Sequence, residues 1–210
     1  MSDTLLFFTN PMSRGRIARW MLEEVGRPYE TEILDFASSM KAPAYLELNP
    51  MGKVPAIRHG DVVVTETAAI CAYLADTFPE TGLAPAIGDP RRGAWYRWLF
   101  FAAGPLEAAV SNTALGFVPP PERERVIGYG NMKRVLDTLE IEVAKGPYLV
   151  GDSFTAADLY LGAQLGYGLR FGTIERRASL EAYWNRISDR PAYRRAVEID
   201  DNLAAKARAT

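Results

Sequence analysis

The sequence is short of the residues from which disulfides, redox pairs and metal sites are built. Its 210 residues include one cysteine, so it forms neither an internal disulfide nor a Cys-x-x-Cys redox pair. It also has a single histidine, and no cluster of His, Cys, Asp or Glu has the spacing of metal ligands. We therefore expect no metal.

An excess of one charge and long apolar runs are missing as well. The 24 basic and 26 acidic residues give a net charge of −2, which provides no basic surface for nucleic acid or an anionic membrane. The longest apolar stretches, near residues 98–106 and 159–165, are too short or too interrupted by glycine to cross a bilayer. The first residues lack the features of a signal peptide. These absences predict a cytoplasmic protein without nucleic-acid or membrane partners.

The first 80 residues alternate between strand-like and helix-like segments. An apolar run at 5–8 predicts a buried strand, and the β-α-β order makes the next strand parallel to it. Ser13 is a candidate N-cap for the first helix, and Gly26 ends it. The predicted elements are a strand at 5–8, a helix at 13–25, a strand at 29–34, hairpin strands at 55–58 and 62–65, and a helix at 66–78.

Two details of this region are also predicted. The first helix is expected to bury Ile17, Trp20, Met21 and Val25 and to turn toward water Arg14, Arg16, Arg19, Glu23 and Glu24. The hairpin turn is expected at residues 59–61, where His59, the only histidine, would be solvated. The segment at 36–48 is predicted to be irregular, with one short helical turn.

Strand patterns disappear after residue 80. A stretch rich in proline and glycine predicts a linker at 81–90 between a domain at 1–80 and an all-helical domain at 91–210. Helices are predicted at 91–114, 122–145, from 155 onward, 179–188 and 191–204. Thr155 and Asp158 have the spacing of a capping box, and Gly162 and Gly166 would allow close helix packing. The fold class is therefore α/β plus all-α.

The segment around Val54 and Pro55 has the character of a ligand site. A proline beginning a hairpin strand removes a ladder donor, which suits a preceding residue whose N–H and C=O serve a ligand. A cis bond before Pro55 would turn Val54 outward. Glu66 and Thr67 directly precede an apolar helical pattern, so a carboxylate, a hydroxyl and free N–H groups meet where a ligand carboxylate is well received. Plain helix capping by Glu66 and Thr67 is the structural alternative.

Three motifs in this order resemble the glutathione transferases. They are NPMGKVP at 49–55, ETAAI at 66–70 and GDSFTAAD at 151–158. The resemblance covers nearly the whole chain and implies an N-terminal thioredoxin-like domain followed by a C-terminal helical bundle. Residues 13–26 are similar to the first helix of bacterial and fungal members that use a serine. The resemblance implies a homodimeric detoxification enzyme that conjugates the thiolate of glutathione, its co-substrate, to small hydrophobic electrophiles.

The resemblance also implies a role for each matching residue. Val54, held by a cis Pro55, would pair its backbone with the cysteinyl part of glutathione. Glu66 would accept a hydrogen bond from the γ-glutamyl ammonium group, and the Thr67 hydroxyl and N–H would hold the γ-glutamyl carboxylate. Lys53 would meet the glycyl carboxylate. A zwitterionic tripeptide needs both an anion site and a carboxylate, so this agrees with the interpretation from the residues alone.

Ser13 is the candidate for activating the thiol. A hydroxyl and helix N–H groups directed at sulfur favour the thiolate, and lowering a thiol pKa from about 8.5 to about 6.5 ionises most of it at neutral pH. Thr9, Asn10 and backbone donors alone are the alternatives, and Ser13 could serve only as a cap.

Other assignments complete the hypothesis. Met12, Phe101 and Phe117 are candidates for an electrophile pocket, since aromatic and thioether side chains suit a hydrophobic substrate. Asp158 is expected to serve folding, and Cys71 to lie in the core. Two alternative functions remain: a glutathione-dependent peroxidase, disulfide reductase or isomerase using the same site, and a non-catalytic glutathione-binding or scaffold protein.

Overall fold

The computed structural model describes residues 4–208, which form two compact units. The first unit contains the described residues up to Thr81 together with those from Arg190 onward, and the second contains Gly82–Asp189. The last helix therefore packs within the first unit, a grouping that the sequence analysis did not make.

The first unit is built on a mixed sheet of four strands in the order β2-β1-β3-β4. Its strands are β1 (Leu5–Thr9), β2 (Glu30–Ile33), β3 (Ala56–His59) and β4 (Val62–Thr65). β2 runs parallel to β1, whereas β3 runs antiparallel to both β1 and β4. The apolar side chains of Leu5, Phe7 and Phe8 are buried, as expected of an inner strand. The predicted thioredoxin-like arrangement is confirmed.

Nine α-helices occur within the described residues. They are α1 (Gly15–Val25), α2 (Pro43–Leu48), α3 (Thr67–Thr77), α4 (Arg92–Phe101), α5 (Glu107–Ala114), α6 (Met132–Val143), α7 (Ala156–Phe171), α8 (Ala178–Ser188) and α9 (Pro191–Arg208). Short 3₁₀ turns occupy Ser39–Lys41, Pro79–Thr81 and Pro121–Val126. The α/β unit followed by helices is the fold class that the sequence predicted.

Helix α1 buries the predicted apolar stripe, and Gly26 ends it in a left-handed conformation. The prediction that Arg19 faces water is wrong, because its side chain is buried and pairs with Asp200 of α9 at 2.8 Å. An isolated βαβ unit would leave this flank of α1 open, but α9 covers it. The helix also begins later than predicted, at Gly15, with Arg14 and not Ser13 in the cap position.

His59 does not lie in the hairpin turn. It is the last residue of β3, and its Nδ1 lies 3.0 Å from the hydroxyl of Tyr73 in α3. Its ring is also 5.9 Å from that of Phe78. The prediction of a merely solvated histidine is therefore wrong, because the adjoining helix offers it a polar partner and an aromatic neighbour.

In the second unit, the long helix predicted at 91–114 is present but not uniform. Helices α4 and α5 are joined by a π-helical segment, Ala102–Leu106, which contains Pro105. A proline lacks the N–H that continues an α-helix, and a wider turn accommodates it.

The helix predicted at 122–145 is too long by about ten residues at its start. The structure has a 3₁₀ turn at Pro121–Val126, and α6 begins only at Met132. Gly130 adopts a positive φ of 69°, and the side chain of Asn131 accepts the N–H of Arg134 as the true N-cap. Val126 is left 71% exposed, so the apolar periodicity across this segment was misleading.

The capping box at the start of α7 is confirmed. Asp158 is fully buried and accepts the N–H groups of Leu149 and Thr155 and the hydroxyls of Thr155 and Tyr183, at 2.8–2.9 Å. Burial raises the pKa of this carboxyl group, and the four hydrogen bonds oppose that rise. Gly162 and Gly166 lie against α8, where an added Cβ would collide with Ile187 and Trp184, as the small-residue spacing predicted.

No helix within residues 4–208 combines the length and apolar character that a membrane span requires.

Candidate functional site

The candidate site residues converge at the end of the four-stranded sheet where β1 and β4 finish and β3 starts. We call this end the sheet edge. The register pairs Phe8 of β1 with Ala56 of β3, and Ala56 in turn with Thr65 of β4. Because β3 runs against its neighbours, the end of β1, the start of β3 and the end of β4 lie side by side. The loop after Thr9, the Val54–Pro55 bond and the Glu66–Thr67 junction therefore meet at this edge.

The backbone of Val54 is open to hydrogen bonding. The Val54–Pro55 peptide bond is cis, as predicted. Within residues 4–208 the N–H and C=O of Val54 make no hydrogen bond, although the protein is otherwise densely bonded. Half-buried and unpaired, this residue has the exposed donor and acceptor that the proline pattern predicted.

The residues around Val54 are held firmly in place. The carbonyl of Lys53 accepts hydrogen bonds from the Tyr45 hydroxyl at 2.6 Å and from the Asn49 amide at 2.8 Å. Burial raises the pKa of Tyr45 to about 12, so its hydroxyl remains a donor at any physiological pH. Asn49 Oδ1 also accepts the N–H of Met51 at 3.1 Å. The backbone presented to a ligand is thus fixed in advance.

Glu66 has a backbone conformation that glutamate rarely adopts. Its φ is 65°, the only positive φ at a non-glycine among the described residues. The residue is exposed, and its carboxylate has no partner within the part of the chain that the structure describes. A sparsely populated conformation of this kind costs about 1–3 kcal/mol and concentrates at functional positions.

Thr67 and the first turn of α3 present open hydrogen-bond donors. The first hydrogen bond of this helix joins the Ile70 N–H to the Glu66 carbonyl at 2.9 Å, which leaves the preceding N–H groups without intrahelical acceptors. Thr67 is 7% exposed, and its hydroxyl has no partner among residues 4–208. A buried hydroxyl next to open N–H groups suits a carboxylate ligand.

Two ammonium groups flank the start of β3. Lys53 is exposed, and its side chain has no partner among the described residues. Lys41, at the end of a 3₁₀ turn, donates to the carbonyl of Gly52 at 2.7 Å, which brings it next to the Lys53 segment. Lys41 is not predictable from the sequence, because it lies in the irregular stretch at 36–48, where no periodicity points to it.

The loop after β1 carries the candidates for thiol activation. The Ser13 hydroxyl donates to the Asn10 carbonyl at 2.7 Å and accepts the N–H of Gly15 at 2.9 Å. The Asn10 amide group donates to the Leu34 carbonyl at 2.8 Å, and its Oδ1 accepts the N–H of Met12. Ser13 is half-buried at the loop surface, whereas Asn10 braces the loop against the end of β2.

Thr9 lies beneath this loop. Its side chain is fully buried, and its hydroxyl has no hydrogen-bond partner within residues 4–208. A Cβ on Gly15 would collide with this hydroxyl, so the glycine allows α1 to begin directly over the end of β1. Burial under Gly15 separates the Thr9 hydroxyl from a ligand at the sheet edge.

The three residues predicted for an electrophile pocket are in different units. Met12 belongs to the first unit and is 61% exposed. In the second unit, Phe101 packs edge-on against Trp98 with ring centroids 5.2 Å apart, and Phe117 is 48% exposed. Their shared pocket stays a prediction.

Away from this edge, residues 4–208 contain a cleft but no group of side chains suited to a metal ion. Among residues 4–208, no three His, Cys, Asp or Glu side chains converge closely enough to hold a metal ion. A cleft of about 570 Å³ lies at the opposite edge of the sheet, where β1 and β2 begin, and is lined by Thr4, Leu5, Arg27, Pro28, Tyr29, Glu30 and Phe78. Arg27 is already paired there with Glu80 at 2.6 Å. Cys71 is buried in α3, and its raised pKa keeps the thiol protonated and inert.

Comparison with known families agrees with this geometry. Residues 12–77 match the family described as "Glutathione S-transferase, N-terminal domain", and residues 106–191 match "Glutathione S-transferase, C-terminal domain". The first match includes the cis-proline segment and the Glu66–Thr67 junction.

Individual relatives span most of the chain. Glutathione S-transferase F9 of Arabidopsis thaliana is 32% identical over 197 residues, which cover 84% of this chain and 88% of the relative. Glutathione S-transferase GST-4.5 of Xanthomonas campestris pv. campestris is 29% identical over 166 residues, covering 76% and 81%.

Solved structures show the same likeness. A glutathione transferase from Methylococcus capsulatus superposes with a TM-score of 0.76 at 30% identity, covering 94% of this chain and 98% of the other. A sphingomonad glutathione S-transferase complexed with glutathione superposes with a TM-score of 0.75 at 30% identity, covering 93% and 98%. The identity and coverage of these matches show that the chain belongs to the glutathione transferase family.

Proposed function

We propose that this transferase binds glutathione at the sheet edge and conjugates its thiolate to a small hydrophobic electrophile. One observation carries the proposal: the polar groups at this edge have no partners among the described residues. They are the Val54 backbone, the Glu66 carboxylate and the Thr67 hydroxyl, with the first N–H groups of α3. Leaving the half-buried Val54 backbone and the buried Thr67 hydroxyl unpaired costs folding free energy, and a zwitterionic peptide would pair both of them and the exposed Glu66 carboxylate.

The γ-glutamyl end of glutathione needs one acceptor and several donors. Glu66 supplies the acceptor for the ammonium group, while Thr67 and the α3 N-terminus supply donors for the carboxylate. The conformation of Glu66 supports this assignment, because a sparsely populated φ of 65° at the residue directly before α3 is typical of a functional position.

The rest of the tripeptide would follow the rim of the sheet. The N–H and C=O of Val54 pair with the cysteinyl residue as an added strand would, which fixes the position of sulfur. Lys53 and the neighbouring Lys41 attract the glycyl carboxylate. This order directs the cysteinyl sulfur toward the loop that holds Ser13.

Ser13 is the proposed thiol-activating residue. Its hydroxyl hydrogen is directed to the Asn10 carbonyl at 2.7 Å and can rotate to the sulfur, while the Gly15 N–H still donates to its oxygen. Asn10 and Thr9 are less suitable, because the Asn10 amide bonds the Leu34 carbonyl and the Thr9 hydroxyl is buried. The thiol releases its proton to solvent, the thiolate attacks the electrophilic atom, and the displaced group leaves with the electron pair of the broken bond.

The remaining elements of the proposal concern partners and place. Met12, Phe101 and Phe117 are offered as contacts for the electrophile, and a homodimer as the working assembly. Reduced glutathione is the form that the cytosol maintains, which supports a cytoplasmic location. Transferase relatives and structural neighbours favour neither the peroxidase, reductase or isomerase alternatives nor a scaffold role.

Calorimetric titration with reduced glutathione tests the site. We expect micromolar to low-millimolar binding, weakened about 10- to 100-fold in Glu66→Gln, because a hydrogen bond to a charged group is lost. Asp61→Asn is the matched control, since Asp61 is an exposed carboxylate at the other end of the same hairpin. No binding by the unaltered protein, or equal loss in both variants, would overturn the proposal.

Ser13→Ala in the same series separates binding from activation. We expect its affinity for glutathione to stay within about threefold, whereas the thiolate absorbance of bound glutathione should require a higher pH. An unchanged thiol pKa would move the role to the backbone donors of the loop.

A further inference from the structure

Three ion pairs join helix α1 to helix α9 within the first unit, and a fourth joins α1 to Arg190, the residue directly before α9. In chain order along α1 they are Arg16–Asp201 at 2.7 Å, Arg19–Asp200 at 2.8 Å, Glu23–Arg195 at 3.1 Å and Glu24–Arg190 at 2.6 Å. The α1 members recur at helical spacing, so they form a stripe that faces the last helix of the chain. No local sequence pattern predicts that residues 16–24 pair with residues 190–201.

The buried pair is structural. Arg19 and Asp200 are both almost completely shielded from solvent, and Arg19 also donates to the Tyr29 hydroxyl at 3.1 Å. The pKa of Tyr29 is raised to about 12, chiefly by burial and also by its hydrogen bond to Glu23, so the hydroxyl stays a donor. These groups lie along the middle of α1, away from the loop that precedes it.

The first pair differs because its arginine also holds the loop after β1. Arg16 Nε donates to the carbonyl of Pro11 at 2.6 Å, while its Nη2 donates to Asp201 Oδ1 at 2.7 Å. The guanidinium group therefore bridges a backbone carbonyl of the loop and a carboxylate of α9. Its planar shape fixes both directions at once, which a lysine could not do.

Pro11 lies between the residues on which the loop conformation depends. The Asn10 carbonyl accepts both the N–H and the hydroxyl of Ser13, and Asn10 Oδ1 accepts the N–H of Met12. Fixing the Pro11 carbonyl fixes the adjoining peptide planes, and with them the direction of the Ser13 hydroxyl.

We propose that Asp201 is a positioning residue for thiol activation: through Arg16 it holds the Pro11 carbonyl, and so it keeps the loop at 10–14 in the conformation that directs its donors. The inference rests on the proposed function, because the loop matters to catalysis only if bound glutathione meets it. Helix α9 would thus take part in the chemistry of the loop that precedes α1.

Hydrogen exchange of the loop amides tests the positioning step without any substrate. In Asp201→Asn the N–H groups of Met12, Ser13 and Gly15 should exchange about two- to fivefold faster, the range expected when one exposed ion pair is lost. Arg195→Gln is the matched control, since it removes an ion pair of the same series that does not touch the loop. Unchanged loop exchange in Asp201→Asn, or equal acceleration in both variants, would overturn the proposal.

Steady-state kinetics tests the catalytic step. In Asp201→Asn, kcat for glutathione conjugation should fall about two- to fivefold with the KM for glutathione unchanged, and the thiol pKa in the pH profile should rise. Asp201→Glu should restore kcat, and Arg195→Gln should match the unaltered enzyme. A change in KM alone would overturn the inference. An inactive unaltered protein would instead contradict the proposed function, and the exchange experiment would still decide whether Asp201 holds the loop.

Discussion

Helices α3 and α7 begin with the same chemistry, a threonine and a carboxylate, and use it in opposite ways. At the start of α7, Asp158 is fully buried and accepts four hydrogen bonds from the protein itself. At the start of α3, the Glu66 carboxylate and the Thr67 hydroxyl have no partner among the described residues. One helix start completes its own hydrogen bonding, and the other has open polar groups, where we propose that glutathione binds.

The backbone shows the same contrast. Thr155 has the extended conformation of an ordinary N-cap, with φ −134° and ψ 172°. Glu66 occupies the corresponding position before α3 with φ 65°, which a glutamate adopts only when its surroundings impose it. Satisfied polar groups on relaxed backbone indicate a folding element, and unsatisfied groups on strained backbone indicate a binding element.

The largest expected effect concerns the folding side. Asp158→Asn turns an amide N–H₂ toward the donors of Thr155, so the unfolding free energy should fall by about 2–4 kcal/mol. Denaturant unfolding measures this, with Asp152→Asn, an exposed acid of the same segment, as the control expected to change by less than about 0.5 kcal/mol. Glutathione affinity of the folded variant should be unchanged. A loss of affinity without a loss of stability would reverse the roles assigned to the two helix starts.

The next effect separates binding from stability at Glu66. Glycine adopts φ 65° freely, so Glu66→Gly should lose about 10- to 100-fold in glutathione affinity and yet gain up to about 1 kcal/mol in unfolding free energy. Glu66→Ala is the control, because it loses the carboxylate and keeps the strained backbone. Calorimetry and thermal unfolding measure the two quantities. If glycine destabilised the protein as much as alanine, the strain at Glu66 would not be real.

The sequence alone distinguished the two helix starts only through their neighbours. Thr155 and Asp158 have capping-box spacing, and Val54-Pro55 upstream of Glu66 indicated a ligand. The unusual φ of Glu66 was not predictable, since no local pattern places a glutamate there and the β4–α3 junction imposes it. Local chemistry therefore predicts a type of site but not the backbone strain at Glu66.

Long-range pairings were beyond local patterns altogether. Arg19 was expected in water because helical periodicity sees one helix at a time, whereas its partner Asp200 lies 181 positions along the chain. The prediction for the start of α6 was wrong for a local reason. Apolar spacing continues through Gly128 and Gly130, but the glycines and the Asn131 cap set the boundary of the helix. Helical periodicity predicts which face of a helix is buried. It gives no information about a distant helix that packs against another face, or about a cap that sets where the helix begins.

The smallest expected effects come from the same substitution, threonine to valine, at each of the two helix starts. Thr155→Val removes a hydroxyl that donates to Asp158 at 2.9 Å, so it should cost about 1–2 kcal/mol of stability and no glutathione affinity. Thr67→Val removes a hydroxyl with no partner among residues 4–208, so it should leave stability within about 0.5 kcal/mol and weaken glutathione binding about fivefold. Unfolding and calorimetry on both variants fill a two-by-two comparison. A stability loss in Thr67→Val equal to that in Thr155→Val would mean that both threonines are caps. Only Glu66 would then support an open start of α3.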